Sequence, residues 1–281
     1  MEKLITVMGS FSYLASILIS VLYLLISSLY IALFYTDRRI YHSIARPLVF
    51  VNIAIHFSSF VYAGITEGGI PLTTTFQVIA FLTLIVTCIY VFIEPKFDAK
   101  SLGAFVFPLI FLLNLISIFG SRLIPVELDI LKTPLFGFHI ISSVIGYSAF
   151  VYSMVLGIMY LYLFHSIKKK RLTAAYDRLP PLLTLEKMNG ISQIGGLIFL
   201  TIGIATGATM AHIEWKKIPL ADPKILLTGI IVLIYLLNVV LKFGLKWSGK
   251  RMAYMAVVGF CLLIVVFVGV NFILPTLHKF S

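Results

Sequence analysis

Long runs without a charged residue, separated by short polar clusters, dominate this 281-residue chain. They lie near 8–35, 47–64, 74–93, 102–120, 135–164, 190–212, 225–243 and 254–274. About 20 apolar residues carry an α-helix across a bilayer core, so the pattern predicts about eight transmembrane helices. Transmembrane β-strands alternate apolar and polar positions over short segments. These runs are continuous in Leu, Ile, Val and Phe, which leaves an all-α polytopic bundle as the expected fold, with residues 1–281 forming a single transmembrane domain.

Composition agrees, with 60% hydrophobic and 12% charged residues, where a soluble domain carries roughly 25% charged. The formal charge of +11 would suit nucleic acid if it formed one patch, but it is spread over the connections. The 22 Lys and Arg divide 15 to 7 between alternate loops, with Arg38, Arg39 and Arg46 and the run Lys168-Lys169-Lys170-Arg171 on the richer side. By the positive-inside rule the richer side is cytoplasmic and both termini are outside. The basic clusters then face anionic lipid, and no nucleic acid is expected as a partner. The apolar run after Met1-Glu2-Lys3 is too long for a signal-peptide core and reads as a retained first helix. The longest connection, about 165–189, holds Leu179-Pro180-Pro181 and reads as a semi-rigid cytoplasmic loop.

Chemistry inside the membrane rests on few groups. Cys88 and Cys261 stand alone in apolar runs, without a CxxC pair. No catalytic constellation of paired carboxylates, or of a nucleophile beside a base, is visible. His42 and His165 fall beside basic residues and read as solvated interfacial side chains, and His212 as an exposed loop residue. His56 lies mid-span with Asn52 and Ser59 one turn to either side. It fits either a structural histidine satisfied by those neighbours or an inner ligand or proton relay. His139 opens the fifth run, with Ser143 and Tyr147 on its helical face, and His278 follows the eighth. Both are expected at the outer face, where two imidazoles from different helices suit the axial positions of haem iron. Gly207 to Lys224 reads as an outer loop, with Trp215 as an interfacial anchor and Asp222-Pro223 as a turn.

That loop carries a resemblance. The chain resembles the cytochrome c assembly family of membrane proteins (CcsA, ResC, CcmC and HemX-like), whose motif is G-A-x-W-A-x-x-x-W-G-x-x-W-x-W-D-P-K-E. Laid without a gap on Gly207 to Ile225, the motif keeps Gly207, Ala208, Ala211, Trp215, Asp222, Pro223 and Lys224. Met210, Pro219 and Ala221 stand where it has tryptophan, Lys216 where it has glycine, and Ile225 where it has glutamate. Pro134 to Phe150, with His139, resembles the family's outer-histidine helix, and Trp247 to His278 its last helix and terminal histidine.

The resemblance implies handling of haem at the outer face for cytochrome c biogenesis, rather than an enzyme acting alone. The cofactor would be b-type haem, held transiently. His139 and His278 would ligate the metal, with Trp215, Asp222, Met210 and His56 as further cofactor-binding positions. The implied partners are an apocytochrome c with reduced thiols and a second assembly subunit, as in a cytochrome c synthetase, and the implied location is a bacterial cell membrane. The worn motif also suits a HemX-like branch, a regulator of tetrapyrrole synthesis acting through the cytoplasmic loop. A small-molecule transporter is the third class, although no internal repeat supports it.

Overall fold

The computed structural model describes residues 2–119, 133–170, 174–216, 223–247 and 249–269. Among them every regular element is helical, and eight helices are long and apolar enough to cross a membrane. The chain is a multi-pass membrane protein. In lipid each backbone N–H and C=O must be satisfied within its own segment, which is why such sequences settle as helices. The described residues group into two compact units, Met1–Glu127 and Leu128–Ser281.

The first unit holds α1 (Glu2–Thr36), α2 (Arg39–Glu67), α3 (Thr75–Phe97) and α4 (Gly103–Phe119), with a single 3-10 turn at Lys100–Leu102 before α4. Helix α1 packs on both α2 and α4, and α3 on α4. The elements end where local chemistry directs. Gly68 closes α2 in the left-handed region at φ 69°, a conformation glycine adopts without a Cβ penalty. Thr74 opens α3 with a capping box, its hydroxyl accepting from Gln77 N–H while the Gln77 side chain reaches back to the cap.

Helices α2 and α3 are among those that outrun their apolar runs. Helix α2 starts at Arg39, eight residues before the expected 47, and carries Arg46 and Pro47 inside it. Helix α3 continues past 93 to Phe97, through Pro95. A charge need not end a helix near the interface when its side chain finds a partner or a polar layer. For Glu94, which charge counting leaves in the connection, the partners lie inside the unit.

The second unit holds α5 (Pro134–Lys168), α6 (Ala174–Arg178), α7 (Leu182–Trp215), α8 (Pro223–Phe243) and α9 (Lys250–Val268). Its centre is the pairing of α5 with α7, flanked by α9 on α5. Glycines set that pairing. A Cβ at Gly146 would stand 2.9 Å from Leu200 N and 3.1 Å from Gly196 O, and Cβ atoms at Gly196 and Gly203 would fall on the Phe150 ring and on Ser143 Oγ. Small residues at helical spacing let two backbones approach, which is how helices associate where lipid removes any hydrophobic drive. The semi-rigid loop expected over 165–189 contains the short helix α6, and α7 starts at Leu182 directly after the Pro180-Pro181 pair.

Candidate functional site

In the second unit the site is built on α5 and α7. Thr133 caps α5, its hydroxyl accepting from Phe136 N–H, and Pro134 takes the first turn, where no amide donor is needed. His139 follows in the second turn, half-buried. Its Nδ1 lies 2.7 Å from Gly203 O on α7. A carbonyl only accepts, so Nδ1 donates, and in a neutral ring that puts the lone pair on Nε2. Histidines that bind metals commonly donate their other N–H to a backbone carbonyl in this way, which sets tautomer and ring orientation.

Gly207, one turn beyond Gly203, lies against the ring: a Cβ there would stand 2.7 Å from His139 Cε1 and 2.9 Å from Nδ1. Thr206 also donates to Gly203 O, at 2.9 Å, and Ser143 donates to the carbonyl of His139 at 2.8 Å. The motif glycine therefore has a physical task, the clearance that lets α7 pass the imidazole.

Residues 207–215, where the sixth run was expected to end and pass into the motif loop, continue α7 to Trp215. Met210 is half-buried and His212 exposed in its last turns. Lys216, at the motif's glycine position, is the C-cap with φ 55°. A motif glycine that ends a helix in the left-handed region is the ordinary solution, and here a lysine adopts the same conformation at a cost of about 1 kcal/mol. Trp215 ends the helix, but its side chain, like all of Asp222 and His278, lies outside the described residues. An imidazole fixed as the Nδ1–H tautomer suits the donor chemistry of haem iron, so the described part of the site fits that group.

The first unit contains a second set of polar groups. His56 is buried, and its Nδ1 lies 3.2 Å from Tyr23 OH, which also meets Thr87 Oγ1 at 3.0 Å. Its neighbours on α2 do not satisfy it as expected: both amide atoms of Asn52 are buried without a hydrogen-bond partner. Higher on α3, Thr83 Oγ1 accepts from Asn114 Nδ2 at 3.3 Å, and Asn114 Oδ1 accepts from Ser20 Oγ at 2.6 Å.

Sequence reading missed Glu94 altogether. It is 3% exposed, and its Oε1 takes Tyr30 OH at 3.1 Å, Tyr90 OH at 2.9 Å and His42 Nε2 at 2.9 Å. Neither His42 nor His165 is the solvated side chain expected. His42 is bound to Glu94, and His165 Nδ1 lies 2.6 Å from Leu161 O of its own helix. The signal was available in the sequence. Ser20, Tyr23, Ser27 and Tyr30 on α1, and Thr83, Thr87, Tyr90 and Glu94 on α3, recur at steps of three and four and are all buried, so each set forms one helical stripe.

Comparison with known proteins places the chain. The family model described as cytochrome C assembly protein matches residues 72–278 and runs across both units. A cytochrome c biogenesis protein CcsA from Chlamydomonas reinhardtii is 30% identical over 232 residues, covering 76% of this chain and 62% of that protein. The CcsA of Porphyra purpurea is 26% identical over 279 residues, 83% of this chain and 85% of the relative. That of Prochlorococcus marinus is 25% identical over 271 residues, 85% and 84%. The chain thus spans a little under two thirds of the first of these and most of the other two, and it belongs to the cytochrome c assembly protein family.

Proposed function

We propose that this protein handles haem for cytochrome c biogenesis, and that His139 near the start of α5 and His278, after α9 in the sequence, would hold its iron. The observation that carries the reading is the His139 Nδ1–H bond to Gly203 O beside the cleared face of Gly207. Bound haem would supply the iron that the histidines hold and the vinyl groups to which cysteine thiols add in thioether attachment. The residues of this chain hold and orient. Gly203 O orients the ring, Gly207 lets α7 pass close against it, and Met210, Trp215 and Asp222 of the motif segment would be further cofactor-binding positions.

His56, bonded to Tyr23 in the other unit, is kept as a further cofactor-binding position. The two units together are read as one functional domain of 1–281. Thiols come from an apocytochrome c, since Cys88 on α3 and Cys261 on α9 form no CxxC pair, and a second assembly subunit guides them. The protein would serve as an assembly factor in a bacterial cell membrane, with the Lys- and Arg-rich loops cytoplasmic and both termini outside. The regulatory HemX-like alternative draws no support from the relatives named.

The test is the visible absorption spectrum of the detergent-purified protein, oxidised and dithionite-reduced, after addition of haem. A sharp low-spin bis-histidine spectrum is expected for the wild type. It should turn high-spin in His139→Ala or His278→Ala alone and vanish in the double variant. A colourless wild type, or a low-spin spectrum that survives both substitutions, overturns the assignment.

A further inference from the structure

A groove of about 580 Å³ runs along the first turns of α2, lined by His42, Ser43, Arg46, Pro47 and Phe50. We propose that it binds the phosphate of an anionic glycerophospholipid, with Arg46 as the cation and Pro47 and Phe50 as the surface for the first acyl methylenes. This inference does not depend on the haem reading.

The argument begins with Arg46. Its Nε stands 3.8 Å from Glu94 Oε2, with the side chain 43% exposed. That distance is an electrostatic contact and too long for a hydrogen bond. A guanidinium has five donors in a planar fork that matches phosphate oxygens, and here none is taken by a hydrogen bond among the described residues. The carboxylate behind it cannot close the gap cheaply, because Oε1 is already held by Tyr30, Tyr90 and His42. Glu94 therefore fixes where Arg46 stands without saturating it.

Location selects the occupant. Arg46 lies seven residues into α2, about 10 Å along its axis. The helix exposes Ile40, Ile44, Phe50, Val51 and Phe57 around and beyond it, a face that only acyl chains cover well. Arg38 and Arg39, both exposed, precede it at the helix start. An incompletely bonded cation at this depth, with arginines above and apolar side chains below, matches a molecule with an anionic head and an apolar tail. Anionic lipids supply that combination at the membrane surface.

The test uses the full chain, delipidated in a neutral detergent and titrated with phosphatidylglycerol, phosphatidylcholine or inorganic phosphate. Bound lipid is read by native mass spectrometry and stability by the melting temperature. Phosphatidylglycerol is expected to bind and to raise the melting temperature, whereas phosphatidylcholine and phosphate leave it unchanged. Arg46→Gln should weaken phosphatidylglycerol about five-fold. Arg46→Lys, which keeps the charge and loses the fork, should fall between. Neutralising Lys168, Lys169 and Lys170, a larger charge in the other unit, should not move the tightest binding event. Equal binding of phosphatidylcholine, equal stabilisation by phosphate alone, or unchanged binding in Arg46→Gln would overturn the proposal. If Arg46→Gln does not fold, the lipid comparison on the wild type and on Arg46→Lys decides.

Discussion

The two units solve one problem in different ways. Helices in lipid gain nothing by hiding apolar surface from each other, so association must come from close packing or from hydrogen bonds. The unit of α1 to α4 uses hydrogen bonds between bulky side chains. Tyr23, Tyr30 and Tyr90 are fully buried, and each reaches a partner on another helix or on Glu94. Phe107 stacks on Tyr30 at 5.1 Å between ring centroids and meets Tyr90 edge-on at 4.8 Å. The α5–α7 pair of the second unit relies chiefly on absence of side chain, with Gly146, Gly196, Gly203 and Gly207 at the contact, beside the bonds from Asn189 Nδ2 to Ser153 O and from His139 Nδ1 to Gly203 O. The difference teaches where each unit is vulnerable: the first to losing a polar atom, the second to gaining a carbon.

The largest effect is expected where several donors share one acceptor. Glu94→Ala leaves Tyr30, Tyr90 and His42 without their common partner and should cost about 3 kcal/mol or more, read as a large drop in thermal midpoint in detergent. Glu94→Gln should recover part of it, because an amide oxygen still accepts. Full stability of Glu94→Ala would break the comparison at its strongest point.

A sharper contrast uses two adjacent glycines of α7. A Cβ at Gly196 falls on the Phe150 ring, whereas one at Gly195 meets nothing within 4 Å. Gly196→Ala should destabilise by about 2 kcal/mol through overpacking, while Gly195→Ala should be neutral or stabilising by about 0.5 kcal/mol through helix propensity. Equal melting temperatures for the two variants would remove the close-packing account of α5 and α7.

The smallest of the three is Tyr23→Phe. It deletes the hydroxyl that joins His56 to Thr87 and keeps the ring, for a cost of about 1 kcal/mol. A loss as large as that of Glu94→Ala would mean that the hydroxyls of this unit act as one network rather than as separate bonds.

The eight spans were legible because lipid imposes an unbroken apolar run on every crossing helix, and their centres agree with the structure throughout. The ends were not. Charges were counted as loop markers, which placed Glu94 outside α3 and started α2 at residue 47, although side chains long enough to find partners or the surface leave a helix free to continue. The motif Gly207 to Trp215 was read correctly as a marked segment and wrongly as a loop, since a functional motif carries no statement about backbone hydrogen bonding. His139 was legible as a ligand candidate from its position and its family pattern. Its partner was not, because a backbone carbonyl 64 residues away leaves no letter in the sequence. Glu94 and its ring of donors were missed for another reason: Tyr, Thr and Ser in apolar spans look like ordinary filling until two helices turn the same stripe inward.

The bond from His139 to Gly203 also has a genetic consequence. Its acceptor belongs to the main chain, so no codon change at position 203 deletes it. Substitutions there and at Gly207 would be lost from a selection because of their bulk, and a mutational scan of α7 would report a demand for small residues while staying silent on the bond that holds the imidazole. Exposing that bond calls for chemistry outside the genetic code, such as a peptidyl ester between residues 203 and 204, which weakens the acceptor while adding no atom to the side chain.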